Sequence, residues 1–519
     1  MKKFFLSNIF FLLILTLSVF AVYGKSAFFG FSYYDDDTLI LNNADFISDI
    51  KNIPHFFTES CFHSGNYLYY RPVLTISFSI ESLLFKITPE IYHFNNILLF
   101  IAAVFLIYFL LLKLNFNRHL SKFIVFLFSL HPIFTSCAVW IPARNDTLLI
   151  IFVCVSLISF INYINSNEIK FFVFQCLAFA AALFTKETGI VLIFIYFMIV
   201  YCFNYKITKK QIFNNLYILL IILLYFVMRA RAVPGIDFIY FIADLKTTAA
   251  TTATGLMTYI SKFIFPDYMP VILYNITPDT KTIFINITAI LMLLMIFHRK
   301  YIERKILLLG FFWIAAFLIP TFIQKDYVFM LHRFMPASIG AIIIITAVTE
   351  KLSKNYKFFK IYSVLLFVFL TVIFSYLSYY NANKYKDADI FWKNAYADAE
   401  NYHVACQGLA KRYLYSGNYS KAKELLFEAK KLKNLYAYDL DIASVSIAEG
   451  NFDEAENRLL RLIKLKENFI ALKYLSEIYF VKGDIEKSHV YAEKAFKLNP
   501  NDKRLTEHIK KLQSQSLNN

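Results

Sequence analysis

Three consecutive carboxylates, Asp35, Asp36 and Asp37, follow the first long apolar run of the chain, and the nearest cation in sequence is Lys25. Adjacent carboxylates repel one another, which pushes one of them toward the protonated form. Such a cluster suits a proton-transfer step or the holding of a divalent cation. The same residues also make a solvated acidic turn. A second set of ionisable residues stands at the ends of apolar runs: Arg71, His131, Arg144, Asp146, Lys186, Glu187, Arg229, Arg231, His332 and Arg333. Arginine forks and lysine ammonium groups bind phosphate oxygens, so an anionic ligand is one reason for these cations. Internal pairing, Arg144 with Asp146 and Lys186 with Glu187, is the competing reason. His131 precedes Pro132 and equally suits a helix end.

The elements that must position these residues are membrane helices. The chain has 519 residues, 58% of them hydrophobic and only 17% charged; soluble domains carry about 25% charged residues. The apolar excess lies in runs of membrane-spanning length. The net charge of +16 does not indicate nucleic acid, because much of the Lys and Arg sits in short loops between those runs. Such loops set orientation by the positive-inside rule, and their alternation is consistent with about eleven spans, an N-terminus inside and a C-terminus outside. Spans are expected near 4–23, 91–112, 122–139, 147–164, 171–184, 189–204, 211–228, 282–297, 306–323, 334–349 and 360–380. The Thr-rich stretch 245–265 is expected to be a partly inserted helix on the outer side. On this topology the acidic run and the second set of ionisable residues share the outer side, where cations should be depleted. The loop 24–90 is long, and its segment 73–86 carries Glu81 in an apolar run, so it reads as an interfacial helix. Cys61 and Cys137 could both face the outside, which leaves a disulfide between them open.

After Tyr380 long apolar runs disappear. Gly417-Asn418-Tyr419, Gly450-Asn451-Phe452 and Gly483-Asp484-Ile485 recur 33 residues apart, each opening an amphipathic helix. This period resembles the tetratricopeptide repeat, whose units stack into a concave docking surface. Trp392, just before the repeats, is expected to pack as a cap.

Several stretches together are similar to motifs of one family: Tyr34-Asp35-Asp36 with Asn43, Tyr70-Arg71-Pro72, His131-Pro132 through Trp140-Ile141 to Arg144-Asn145-Asp146, Thr185-Lys186-Glu187-Thr188-Gly189, and Arg333 leading to Pro336-Ala337-Ser338-Ile339-Gly340. The chain resembles the transmembrane and tetratricopeptide-repeat O-mannosyltransferases, which belong with the GT-C polytopic glycosyltransferases. The resemblance covers almost the whole chain. It implies an all-α architecture: a GT-C-like membrane domain over 1–380, a connecting helix over 381–401 and about three repeats over 402–519. It also implies transfer of a sugar, mannose in the family, with inversion from a polyprenyl-phosphate donor to a hydroxyl acceptor on the outer, periplasmic face of a bacterial inner membrane. Asp35 and Asp36 would be catalytic. Arg71, Arg144, Lys186 and Arg333 would contact the donor phosphate, with His131, Asp146, Glu187 and His332 in support. No cofactor is required, although the Asp run could take a divalent cation. The repeats would hold a polypeptide or glycan acceptor. His332 departs from the family, where an acidic residue usually precedes the Arg, and the repeats are fewer than in eukaryotic members. A non-catalytic scaffold carrying the repeats would need neither the acidic run nor the outer cations. A transporter would favour inverted repeats with broken helices at the midplane.

Overall fold

The computed structural model describes residues 2–62, 69–233, 244–274, 277–298, 304–323, 328–355, 359–500 and 502–516. The chain forms two compact units, Met1–Phe391 and Trp392–Asn519. Both are helical; the only strands among the described residues are the two-residue antiparallel pair Leu273–Tyr274 and Val328–Phe329.

Every expected span is helical. Among the described residues seven helices are long and apolar enough to cross a membrane: Ser7–Phe28, Pro89–Lys113, Ile141–Ser166, Lys209–Ala232, Arg304–Ile323, Leu331–Lys354 and Ile361–Tyr385. The protein is therefore a multi-pass membrane protein. The other expected spans take different forms. The run 122–139 breaks at Pro132 into Arg118–Leu130 and Pro132–Val139, bent by 56°. Proline removes a helical donor and crowds the preceding turn, which accounts for the break. Ile169–Thr185, Glu187–Phe203 and Thr280–Met292 are shorter apolar helices, as is Pro72–Phe85. The stretch 245–265 forms the Leu245–Ile264 helix. The basic loop positions Arg299, Lys300 and Lys357 lie outside the described residues.

Close backbone packing fixes the helices that carry the cations. Any Cβ on Gly340 would collide with the Gly310 carbonyl, so Arg304–Leu318 and Met335–Asn355 touch main chain to main chain. Small residues permit this approach where lipid supplies no hydrophobic drive. Trp313 Nε1 donates to Pro336 O at 2.9 Å across the same interface. A Cβ on Gly189 would lie 2.8 Å from the Ala182 carbonyl, so glycine lets the Lys186–Glu187 segment fold back onto the helix before it.

In the second unit the repeated turns are chemically alike. Gly417, Gly450 and Gly483 have φ of 76°, 85° and 81°, the left-handed region that glycine enters freely. Each glycine is followed by an N-cap. Asn418, Asn451 and Asp484 accept from the backbone N–H of Lys421, Glu454 and Lys487 at 3.2, 3.2 and 3.0 Å. Those bonds satisfy first-turn donors of the next helix. The Trp392 ring fills the space where a Gly408 side chain would stand.

Candidate active site

The acidic run lies in a tight turn that precedes the short helix Asp36–Leu39. Tyr33 has φ of 55°, unusual for a bulky residue, and this turns the chain so that Ser32 faces Asp36. Asp36 Oδ2 accepts from Ser32 N at 2.7 Å and Ser32 Oγ at 3.0 Å, and its Oδ1 accepts from Tyr34 N at 3.2 Å. Trp140 Nε1 donates to the same Ser32 hydroxyl at 3.0 Å. His93 ties the entry of this loop to the bent-helix region: its ring nitrogens face Val139 O at 2.8 Å and Gly30 O at 3.1 Å.

The two carboxylates have different surroundings. Burial pushes Asp36 up to about 6, while the Ser32 bonds hold it down. Asp35 is pushed up to about 7, first by burial and then by the charges of Asp36 and Asp37. The positive charges of Arg333 and Arg71 oppose that rise. Among the described residues no donor hydrogen-bonds the Asp35 carboxylate, whereas Asp36 is held by three.

Of the outer cations, Arg71 and Arg333 act on Lys186, and the same two act on Asp35. Arg71 makes a fork to Glu187, Nε to Oε2 at 3.2 Å and Nη2 to Oε1 at 2.9 Å, and its guanidinium lies 4.4 Å from the Tyr69 ring centre. Lys186 Nζ donates to Asp146 Oδ1 at 2.6 Å. The second Asp146 oxygen, Oδ2, is buried without a hydrogen bond and lies 3.8 Å from His332 Nε2. Arg333 Nη1 donates to Val328 O at 3.0 Å. Lys186 feels the charges of Arg71 and Arg333, so the three cations share one locality. Trp140 closes it: its ring packs 5.3 Å from His332, 6.1 Å from Tyr34 and, stacked, 6.1 Å from Phe391. Asp35, Asp36, Arg71, Lys186, Arg333, Asp146, Glu187 and His332 therefore form one group.

Two expected members do not join it. Arg144 is fully buried, with Nη1 on Glu81 Oε1 at 2.7 Å, Nε on Asn96 Oδ1 at 2.6 Å and Nη2 on Tyr92 O at 2.9 Å. Its guanidinium is consumed by the helix packing, which corrects the expectation of a donor contact. His131 ends the Arg118–Leu130 helix: its Nδ1 accepts from Ile133 N at 3.2 Å and its Nε2 donates to Phe263 O at 2.9 Å. With Phe263 and Phe374 against the ring, it is a packing bridge. The local ion pairs that compete with an anionic ligand as the reason for these cations are not the ones formed. Arg144 pairs with Glu81, Lys186 with Asp146, and Arg71 with Glu187. Glu81 is a buried counter-ion rather than the polar edge of an interfacial helix. Cys61 and Cys137 are both buried free thiols. Sequence reasoning assigns no role to Ser32 or to the Trp140 N–H, because neither sits at a spacing that announces a bond to Asp36.

Among the described residues no three His, Cys, Asp or Glu side chains converge as a metal site. No family model matches the chain. The chain is 30% identical over 189 residues to the Protein O-mannosyl-transferase TMTC3 of Homo sapiens, covering 33% of this chain and 20% of that protein. It is 24% identical over 193 residues to the Protein O-mannosyl-transferase TMTC2 of Mus musculus, covering 36% and 23%. The chain thus spans about a fifth of the length of the curated relatives it matches, and over that stretch it is similar to proteins named as O-mannosyl-transferases.

Proposed function

We propose that this chain is a membrane glycosyltransferase that moves a sugar, mannose by analogy with its relatives' names, from a polyprenyl-phosphate donor to a hydroxyl of a polypeptide acceptor. The observation that carries the reading is a carboxylate, Asp35, that no side chain or backbone donor bonds among the described residues and that feels the charges of Arg71 and Arg333, which in turn act on Lys186 where it pairs with Asp146. A hydroxyl attacks poorly at neutral pH unless a base near its own pKa range takes the proton. Asp35 is that base. Asp36, committed to Ser32 and Tyr34, is the anchor that holds the turn. The acceptor oxygen attacks the anomeric carbon as the bond to the phosphate oxygen breaks, and the anomeric centre inverts. The proton goes to Asp35 and the electron pair leaves with the phosphate.

The leaving phosphate needs donors already aimed. Lys186 spends one of its three N–H groups on Asp146, and Arg71 leaves Nη1 outside its fork to Glu187. Glu187 and Asp146 orient these cations. This reaction takes place on the outer face of a bacterial inner membrane, the face that the positive-inside pattern assigns to the acidic loop. The repeat unit on that face holds the acceptor.

The test is transfer of radiolabelled sugar from a polyprenyl-phosphate donor by full-length protein in vesicles. Asp35→Asn should abolish transfer while donor binding persists, and Lys186→Gln or Arg333→Gln should weaken both. Transfer at the wild-type rate by Asp35→Asn removes the proposed base.

A further inference from the structure

We infer that the cleft between the end of the Leu192–Phe203 helix and the start of the Arg304–Leu318 helix binds the head group of an anionic phospholipid. The cleft encloses about 270 Å³ and is lined by Tyr201, Arg304, Lys305, Leu308 and Phe311. Its walls are tied together. Cys202 Sγ donates to Lys305 O at 3.1 Å, Lys305 Nζ donates to Asn204 Oδ1 at 2.7 Å, and the same ammonium lies 4.8 Å from the Tyr201 ring centre. Two cations thus line a built cavity, and none of its described lining residues is a carboxylate.

The apolar half of the cleft selects a lipid over a free anion. Arg304, Leu308 and Phe311 follow one another at i, i+4 and i+7, so they share one face of their helix. Leu308 is 49% exposed. A cation therefore heads an apolar stripe, the arrangement that matches a phosphate followed by an acyl chain. Basic pockets between membrane helices are a known form of phospholipid head-group site.

This cleft is separate from the donor site. The Leu192–Phe203 helix begins just after the Lys186–Glu187 segment and ends at the cleft. At 1.5 Å per residue the two sites stand roughly 18 Å apart along that axis. The inference does not depend on the enzymatic reading.

The test uses the full chain, purified in detergent and returned to phosphatidylcholine vesicles with or without phosphatidylglycerol. Native mass spectrometry counts the phosphatidylglycerol retained, and a thermal melt records its effect. Wild type should retain the anionic lipid and melt higher with it. Arg304→Gln should retain roughly fivefold less, the loss expected for one basic contact, and Arg304→Lys should restore it. Arg304 is exposed, so its lipid-free melting point should be unchanged. Equal retention by wild type and Arg304→Gln overturns the inference. So does an equal melting rise with inorganic phosphate alone, which identifies a simple anion site.

Discussion

The indole N–H of Trp140 donates to Ser32 Oγ at 3.0 Å, and that hydroxyl passes its own proton toward Asp36 Oδ2, also at 3.0 Å. One hydroxyl thus joins the acidic turn to the segment that precedes the Arg144 helix. Replacing Ser32 with alanine removes a bond that favours ionised Asp36. Its titration should rise above about 6, and the folded state should lose about 1–2 kcal/mol, as for a lost hydrogen bond to a charged group. Infrared titration of the protonated carboxyl band, assigned with Asp36→Asn, checks the first point, and a thermal melt checks the second. An unmoved band disproves the coupling.

Asp35 ought to set the acid limb of the reaction. A base must be unprotonated, so kcat/KM should fall as pH drops below about 7. Arg333 opposes the upward shift of Asp35, so Arg333→Gln should move the midpoint to higher pH. A rate–pH profile for the two proteins decides this. A midpoint that stays put would separate Arg333 from the base.

The same carboxyl has a consequence for stability. Its folded pKa is raised above the ordinary carboxylate value, so the folded state binds the proton more tightly than the unfolded state. Stability is therefore fully present below about pH 4 and is lost as pH rises through about 7. Asp35→Asn removes that loss. The variant should melt above wild type at pH 8, and the gap should narrow as pH falls from 7 toward 4. A melting gap that does not vary with pH contradicts the raised titration.

Arg144 and Glu81 form a buried ion pair, 2.7 Å apart. Removing one partner strands a charge, at a cost of about 3–5 kcal/mol. Glu81→Gln and Arg144→Met should each lower stability by that order, and the double variant should lose clearly less than their sum. Denaturation of the four proteins in one detergent gives the coupling. Additive losses would show that the pair contributes no mutual term.

Gly450 has φ of 85° and nothing within 4 Å of an added Cβ. Alanine there meets only backbone strain, about 1 kcal/mol or somewhat more. Gly450→Ala should lower the melting of the second unit by that amount and leave the first unit's transition in place. Gly417→Ala and Gly483→Ala, at φ of 76° and 81°, should match it.

Helix positions were legible in the sequence because apolar runs of membrane length admit few other structures. Whether a run crosses unaided depends on length: Ile169–Thr185 has 17 residues, about 25 Å of helix against a hydrocarbon core of about 30 Å. The repeated turns were legible because glycine followed by Asn or Asp is a local signal. Ion-pair partners were not. Arg144 and Asp146 stand two apart on one helix and so do not face each other, and Lys186 and Glu187 are adjacent. Their true partners lie far along the chain, as Glu81 does from Arg144, and a single sequence carries no record of that contact. The gathering of Asp35 with Arg71 and Arg333 was legible only as a shared side of the membrane.

The backbone contact at Gly310 and Gly340 holds the Arg304–Leu318 and Met335–Asn355 helices in one fixed register. Two main chains in direct touch cannot slide past one another without collision. Any displacement of one of these two helices therefore carries the other with it.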